Sequence, residues 1–415
     1  MGSGSNDVRA ALIATALLAT STPALAAGPV PSAEIRKALD ETATAIADVA
    51  LDDEGKARGD YYWKKGKWSA YEVAWHTGQA IEGLLAAYRV SHDPKLLAKA
   101  RQAGDWWIAQ EIKSGQFKGL MYASHGDRLG KLINFTTIGD GTPGLFNLTR
   151  VTGDRKYADA ATRSIRWLVA NTEAPGDQGL YYNIIDVEAG TIWKDKSPHH
   201  PGVANPALTE MARPNIEGFP FYDACLYTGD KSLCARHIKL AEKTAARQSP
   251  EGFWMEFEPN DNEKGSVHAR FNTWNAEALL TAYALKKDPA FLEAALRNAR
   301  ANTRLMKSDG SFDYVQFVDK EGGSVQPTGS ATAFAGIVWL KLRALGYTEF
   351  DPQIHAAARW LVDNRFASDH PDPNVRGLVL ELRNKRGKGE TVVLQREIGT
   401  GFAARFFADY LKAFP

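Results

Sequence analysis

A helical hairpin recurs five times along the chain, and this repeat constrains the fold more than any other feature. Each copy contains an apolar helix, a short turn with an aspartate, and a second, amphipathic helix. The aligned aspartates are Asp93, Asp154, Asp230, Asp288 and Asp351. Each is expected to cap the helix that follows, because a carboxylate accepts hydrogen bonds from the free N–H groups of a first helical turn. The long, regular spacing indicates an array or a ring of helix pairs.

The two helices of each hairpin differ in character. The first is rich in small and apolar residues, as expected of a helix that is buried on most sides, whereas the second alternates apolar with charged residues. The buried type is predicted over 72–90, 138–151, 215–228, 272–286, 329–345 and 398–413. An additional helix of the outer type, predicted over 33–50, gives the last inner helix its partner. An open array would need capping repeats at both ends, so the sequence predicts a closed, all-α (α/α)6 toroid of six inner and six outer helices.

The connections from outer to inner helices are long and contain strand-like runs. The clearest is GLVLELRNKRGKGETVVLQ, a predicted β-hairpin with GKG at its tip. These loops, with their short β-hairpins, gather on one face, at the N-terminal ends of the inner helices. Long loops with structure of their own are usually functional, and helix dipoles make this face attractive to anions. We therefore expect the functional site there.

The N-terminus has the pattern of a secretory signal peptide. Arg9 precedes the apolar run 10–19, and Ala24-Leu25-Ala26 has the small-x-small pattern of a cleavage site. Residues 1–26 are thus predicted to be removed, leaving 27–415 as a single toroid domain that is periplasmic or secreted. Cys225 and Cys234 are free to pair in an oxidising compartment, although two separate buried thiols remain the alternative.

Charge and motifs exclude several function classes. Lys and Arg total 50 against 49 Asp and Glu, so there is no bulk field to attract nucleic acid or an anionic membrane, and we expect neither as a partner. No metal-binding or dinucleotide motif is found, so no metal and no cofactor is expected. The content of 11 Trp, 14 Tyr and 18 Phe suits a carbohydrate cleft as well as a filled core. The oligomeric state stays open, and a monomer is compatible with the sequence.

Polar and aromatic residues recur at the starts of the inner helices. Arginine is suited to bidentate binding of a carboxylate, asparagine adds neutral donors, and tryptophan offers a surface for a sugar. The candidate substrate-binding residues are Arg213, Asn215, Arg270, Asn272, Asn275, Arg396, Trp63, Trp75 and Trp274. The alternative is that the three arginines form structural ion pairs with Glu217, Glu397 and Asp223.

Candidates for proton transfer lie on the same face. Histidine and tyrosine suit the role of base, and the candidates are His76, His125, Tyr62, Tyr222 and Tyr314. His268 shares this face. Carboxyl groups that could act in hydrolysis are Asp140, Glu217 and Glu397; for Asp140 and Glu397, capping of a helix N-terminus is the alternative.

Two stretches add a resemblance to known enzymes. TIGDGTPGLFNLTRVTGD, around Asp140, is similar to the aspartate-bearing helix of unsaturated glucuronyl hydrolases, and WHTGQAIEGLLAAYRV is similar to inner helices of related families. At the level of repeats, nearly the whole chain after residue 26 resembles the (α/α)6 toroid enzymes of carbohydrate metabolism. That group includes polyuronate lyases, glucuronyl C5-epimerases, unsaturated glucuronyl hydrolases and inverting glycosidases.

The resemblance implies an enzyme that processes a uronate-containing glycan, with an acidic polysaccharide or oligosaccharide as substrate. A polysaccharide lyase or a C5-epimerase would remove the C5 proton while arginine and asparagine stabilise the neighbouring carboxylate as charge develops. A glycoside hydrolase, including an unsaturated uronyl hydrolase, is the alternative. A non-catalytic protein that binds exopolysaccharide is a third possibility, because fold does not fix function.

Overall fold

In a computed structural model of the protein, the described residues contain twelve α-helices, which form two concentric layers. The residues described are 28–69, 71, 74–123, 132–174, 181–194, 211–212, 219–255, 260–319, 326–385, 390–393 and 398–415. The inner helices are α2 (Trp75–Ser91), α4 (Phe135–Thr152), α6 (Phe219–Thr228), α8 (Ala269–Lys286), α10 (Gly329–Ala344) and α12 (Gly399–Ala413). The outer helices are α1 (Ser32–Ala45), α3 (Pro94–Ala109), α5 (Lys156–Thr172), α7 (Lys231–Ala246), α9 (Pro289–Leu305) and α11 (Asp351–Asp363).

The inner helices form a closed ring. Each packs against the next in chain order, and α12 returns to pack against α2. The predicted all-α (α/α)6 toroid is confirmed, and the described parts of the predicted inner helices start and end within a few residues of the observed ones. The first outer helix differs: α1 ends at Ala45 and continues as a π-helical turn over Ile46–Ala50.

The ring is closed by contacts between the two ends of the chain. Helix α1 packs against α12, and the backbone N–H of Val30 donates to the Tyr410 hydroxyl at 3.0 Å. The guanidinium of Arg365, 9% exposed, lies 2.8 Å from the carboxylate of Glu41. A partly buried, hydrogen-bonded ion pair of this kind is held more firmly than one in open solvent. These contacts make α1 the sixth outer helix.

Most of the aspartates at the turns act as predicted. The carboxylates of Asp93, Asp230 and Asp288 accept hydrogen bonds from the backbone N–H two residues later. Asp154 likewise accepts a hydrogen bond from the backbone N–H of Lys156. The prediction is wrong for Asp351. A 3-10 turn over Thr348–Phe350 starts the helix earlier, so Asp351 is itself helical and pairs with Arg343 at 3.0 Å.

Helices α2 and α4 approach each other through glycine. A Cβ at Gly78 would overlap the carbonyl of Gly141, and one at Gly144 would overlap the carbonyl of Gly78. The two backbones are therefore in direct contact, and only glycine fits at the crossing. This contact brings the N-terminal ends of α2 and α4 together beside the centre of the ring.

Short strands lie in the connections that lead to inner helices. They are β1 (Tyr61–Tyr62), β2 (Lys67–Trp68), β3 (Leu132–Asn134), β4 (Tyr181–Tyr182), β5 (Ile184–Asp186), β6 (Thr191–Ile192), β7 (Met211–Ala212), β8 (Ser266–Val267), β9 (Gln316–Phe317), β10 (Leu382–Lys385) and β11 (Glu390–Val393). The predicted hairpin is present as β10 and β11, and its sheet has the order β10-β11-β1-β2. The aromatic segment near the N-terminus is thus paired with the C-terminal hairpin.

Cys225 and Cys234 form a disulfide across the turn between α6 and α7. The predicted signal peptide lies outside the described residues. Among the helices that are described, none has the length and apolar character needed to cross a membrane.

Gly78→Ala is expected to lower the stability of the ring. The added methyl group has to separate two backbones, and overpacking of this kind costs about 1–3 kcal/mol or more. The measurement is the free energy of unfolding in denaturant. Gly28→Ala is the matched control, because a Cβ at Gly28 meets no atom within 4 Å. Equal stability of the two variants would contradict direct contact between α2 and α4.

Candidate active site

Two inner helices on opposite sides of the ring meet at their N-terminal ends. Trp75 and His76 are the first residues of α2, and Arg270 is the second residue of α8. The ring centroids of Trp75 and Trp274 lie 6.1 Å apart, edge to face. The closed ring therefore brings residues from distant parts of the chain into one central cluster.

Arg270 lies at the centre of this cluster and is 1% exposed. Its guanidinium carbon is 4.5 Å from the ring centroid of Phe271, 4.6 Å from that of Trp274 and 5.5 Å from that of Trp75. Aromatic faces attract a cation, and the attraction strengthens when water is excluded. The arrangement holds a permanent positive charge at the N-terminal end of the ring's interior.

Two buried histidines contact the aromatic rings that surround Arg270. His76 packs against Trp75 with 4.5 Å between ring centroids, and its Nδ1 lies 3.3 Å from the carbonyl oxygen of Arg58. His268 directly precedes α8 and contacts the Tyr314 ring at 4.5 Å. Three of the predicted residues, His76, Arg270 and Tyr314, thus come together with His268.

The indole nitrogen of Trp75 is a further feature of the cluster. Trp75 is 5% exposed, and among the described residues its Nε1 has no hydrogen-bond partner. Buried donors are nearly always paired, so an unpaired one calls for an explanation. A ligand that supplies an acceptor beside Arg270 is such an explanation.

Glu381 is a buried carboxyl group that the sequence analysis did not identify. Ser330 donates to it twice, through its hydroxyl at 2.6 Å and its backbone N–H at 3.1 Å. Burial raises the pKa of Glu381 to about 7, although Ser330 and Arg270 act to lower it. The carboxyl group fits beside Gly399 because glycine has no side chain; a Cβ at this position would overlap it. The signal in the sequence was a glutamate inside the apolar run GLVLEL.

An aromatic layer lies beneath the cluster. The Trp274 ring meets Phe334 at 5.6 Å and Phe402 at 5.9 Å, all edge to face. Asp140, Tyr222 and Trp274, three predicted site residues, line a cavity of about 390 Å³ in the middle of the ring. Asp140 is 9% exposed, and its backbone carbonyl accepts a hydrogen bond from Gln79. Burial raises the pKa of Tyr222 above its ordinary value.

The remaining described candidates are Asn272, Asn275, Tyr62 and Trp63, and each has its own set of contacts. The side chain of Asn272 accepts from the backbone N–H of Trp254 at 2.8 Å and donates to Asn260 at 3.1 Å, which ties the preceding loop to α8. Asn275 is buried, and in the described part of the chain its amide oxygen has no partner. Tyr62 lies in β1 with Lys65 over its ring. Trp63 is 37% exposed and packs against Phe366 and His370.

Six candidates lie outside the described residues: His125, Arg213, Asn215, Glu217, Arg396 and Glu397. Of the three arginines predicted at equivalent positions, the structure therefore describes Arg270 alone. Asp223, the described carboxylate among their possible partners, pairs with Arg150 of α4 at 3.1 Å. Within the described ranges, no group of three or more His, Cys, Asp or Glu side chains is arranged to hold a metal ion.

The comparisons with known proteins agree with this architecture. Residues 40–202 match the family model of the β-L-arabinofuranosidase GH127 catalytic domain. The fold is similar to cellobiose 2-epimerase from Bacillus thermoamylovorans B4167, with a TM-score of 0.72 and 13% identity over 92% of this chain and 98% of that one. A sugar epimerase from a ruminal bacterium gives a TM-score of 0.68 at 12% identity, over 92% of this chain and 99% of the other.

A third similar structure belongs to a hydrolase. An unsaturated glucuronyl hydrolase specific for heparin has a TM-score of 0.65 at 14% identity, covering 92% of this chain and 97% of that chain. No curated protein matches the sequence significantly. The fold is thus that of the toroid carbohydrate-active enzymes, and these similarities support a carbohydrate-active enzyme without fixing its reaction or substrate.

Glu381→Gln is expected to change how stability depends on pH. The folded pKa of about 7 lies above the ordinary 4.5, so the native state binds the proton more tightly than the unfolded chain. Wild-type stability should therefore fall as pH rises from about 4.5 to about 7, by on the order of 3 kcal/mol. The glutamine variant lacks this loss, so its free energy of unfolding should gain on wild type across that range.

Denaturant titrations at a series of pH values measure this difference. The loss of an acceptor for Ser330 is a constant offset, which does not depend on pH. Glu263→Gln, on an exposed turn, is the matched control. If the difference in free energy of unfolding between wild type and Glu381→Gln stayed constant between pH 4.5 and 7, the pKa of Glu381 would not be raised in the folded protein.

Proposed function

We propose that this protein is a lyase or C5-epimerase that moves the C5 proton of a uronate unit in a saccharide. The observation that supports this most is the buried Arg270, held between aromatic rings that His76 and His268 contact in turn. In either reaction a base removes the C5 proton. Elimination then breaks the C4–O bond as the C4–C5 double bond forms and the leaving oxygen gains a proton, whereas epimerisation returns a proton to the opposite face of C5.

The charge balance favours an anionic group beside Arg270. Arginine stays protonated, whereas the pKa of about 7 keeps much of Glu381 neutral up to neutral pH. Glu381 therefore offsets the positive charge of Arg270 only in part. A uronate carboxylate would be attracted to this guanidinium, which would stabilise the extra charge that develops on that carboxylate when C5 loses its proton.

The positions of the two histidines fit proton transfer on two sides of a sugar. His76 belongs to α2 and His268 adjoins α8, and these helices face each other across a ring of six. A sugar held between them would present one face to each imidazole. Histidine titrates near neutral pH and is the commonest proton-transfer residue. Tyr314, in contact with His268, is placed to influence that imidazole.

The first test combines three assays on one panel of alginate, glucuronan, pectate, heparosan and hyaluronan, with neutral glucans as controls. Rising near-ultraviolet absorbance with rising reducing ends indicates elimination. Deuterium uptake at C5 from heavy water, without chain cleavage, indicates epimerisation. Reducing ends alone, or loss of absorbance from pre-cut unsaturated oligomers, would contradict the proposal and indicate hydrolysis.

Variants of the cluster should separate catalysis from folding. We expect His76→Asn and His268→Asn each to lower turnover by about 10²-fold or more, because each removes a proton-transfer group. In an epimerase, each variant should block deuterium uptake from only one of the two C5 epimers. Arg270→Lys should lower the rate by about 10²-fold, since it keeps the charge and loses the planar fork.

The matched control is His92→Asn, at an exposed turn after α2 where the backbone is left-handed and tolerates asparagine. It should leave both turnover and melting temperature unchanged. If the cluster variants reduced only the melting temperature and left turnover per folded molecule intact, His76, His268 and Arg270 would be structural and the proposal would fail.

Hydrolysis is the second candidate, and one observation favours it. Asp140 lies in the central cavity beside Trp274, where a buried carboxyl group could act as an acid. Asp140→Asn should be nearly silent for elimination and should abolish hydrolysis. The comparison of the two activities in this one variant, on the same panel, decides between the candidates.

We also propose that the protein is exported. The pattern over residues 1–26 supports this, and the disulfide between Cys225 and Cys234 is compatible with an oxidising compartment. N-terminal sequencing of the protein recovered from outside the cytoplasm should begin at Ala27. Retention in the cytoplasm with residues 1–26 intact would contradict it.

A further inference from the structure

The central cavity is a compartment distinct from the cluster around Arg270. All six inner helices contribute to its wall, and it extends from the aromatic layer toward their C-terminal ends. Arg150 and Leu226, each two residues before the last residue of its helix, stand at that end, and Leu226 is 53% exposed. The cavity therefore opens on the face with the short turns, opposite the proposed active site.

The two compartments are separated along the helix axis. Arg270 is near the start of α8, and Thr281, which lines the cavity, is eleven residues later. At 1.5 Å per residue this corresponds to about 16 Å. Trp274, packed against Phe334 and Phe402, lies between the two levels. A ligand in the lower part of the cavity would not reach His76 or His268.

Charged side chains in the cavity are fixed by ion pairs. Glu277, on α8, lies 2.5 Å from Lys341 of α10 and 3.2 Å from Arg405 of α12. Burial alone would raise the pKa of Glu277, but these two cations outweigh it and hold the pKa below the ordinary value. Arg405 also donates to Gln79.

Asp223 forms a second pair on the other side of the cavity. It lies 3.1 Å from Arg150, and the two residues belong to α6 and α4. Oε1 of Glu277 and Oδ1 of Asp223 take part in these pairs. Burying ions in this way is costly, so their presence in a ring centre that apolar residues could fill indicates a use.

Aromatic rings supply the remaining part of the wall. Trp274, Phe334 and Tyr222 line the cavity next to these charged groups. A pocket with apolar faces and a few fixed polar groups, and with this volume, is typical of a small-ligand site. Sugars carry apolar C–H faces and hydroxyl groups that donate and accept, which match rings and paired charges respectively.

We propose that this cavity binds a neutral saccharide unit, at a site separate from the one that carries out proton transfer. A uronate fits poorly, because the four carboxyl groups of Glu82, Asp140, Asp223 and Glu277 outnumber the three cations of Arg150, Lys341 and Arg405. A metal ion fits poorly as well, since Glu277 and Asp223 already face cations. The hydroxyls of a neutral sugar bridge such pairs without adding charge.

Isothermal titration of the mature protein tests the proposal with D-glucose, D-galactose, L-arabinose and cellobiose, and with D-glucuronate as the charged counterpart. Leu226→Trp should obstruct the opening, and Arg150→Gln should remove one charged donor; each should weaken binding of the neutral sugar by about tenfold or more. Leu345→Trp is the matched control, because Leu345 is a similarly exposed leucine at the end of α10 that does not line the cavity.

Support requires three results together: a neutral sugar binds, Leu226→Trp and Arg150→Gln weaken it, and Leu345→Trp does not. Melting temperatures confirm that the variants are folded. The proposal is overturned if no neutral sugar binds at millimolar concentration, if all variants bind equally, or if His76→Asn abolishes binding while Leu226→Trp preserves it. Because binding is measured without turnover, failure here is distinguishable from failure of the proposed reaction.

Discussion

The packing of the first outer helix on the last inner helix is the contact on which the rest of the structure depends. Without α1 beside α12, the helix pairs would form an open arc with an exposed apolar edge. Closure sets the spacing of all six inner helices and brings α2 and α8 face to face. Trp75 and Trp274 then lie within 6.1 Å although they are far apart in sequence. The central cluster is thus a consequence of ring closure and belongs to no single hairpin.

The interior of the ring contains charge at two levels, and each level is balanced differently. Near the N-terminal ends, Arg270 faces aromatic rings and a carboxyl group, Glu381, whose pKa is raised by burial. Near the C-terminal ends, Glu277 is held ionised by two cations. Arg270 therefore meets a carboxyl group that is only partly ionised at neutral pH, whereas four carboxyl groups face three cations at the lower level. We therefore propose an acidic sugar for the upper level and a neutral sugar for the lower level.

Local signals in the sequence were enough to predict the architecture. Helix periodicity and capping aspartates depend on neighbours a few residues away, so the helices and their alternation could be predicted. The prediction that Asp351 caps a helix was wrong because a short 3-10 turn shifted the helix start by one residue. The site was harder. The burial of Glu381 depends on Ser330 and Gly399, and Trp63 packs against Phe366. Such contacts join segments far apart in sequence, and one sequence carries no record of them.

The position of the chain ends has a consequence for how the molecule can be rearranged. Because the backbone N–H of Val30 donates a hydrogen bond to the Tyr410 hydroxyl, the two ends of the ring are neighbours in space. A short linker could join them. New ends could then be opened at a short turn within a hairpin while every inner helix keeps its two neighbours. In topological terms the order of the hairpins is cyclic, and the point at which the ring is cut into two ends is arbitrary.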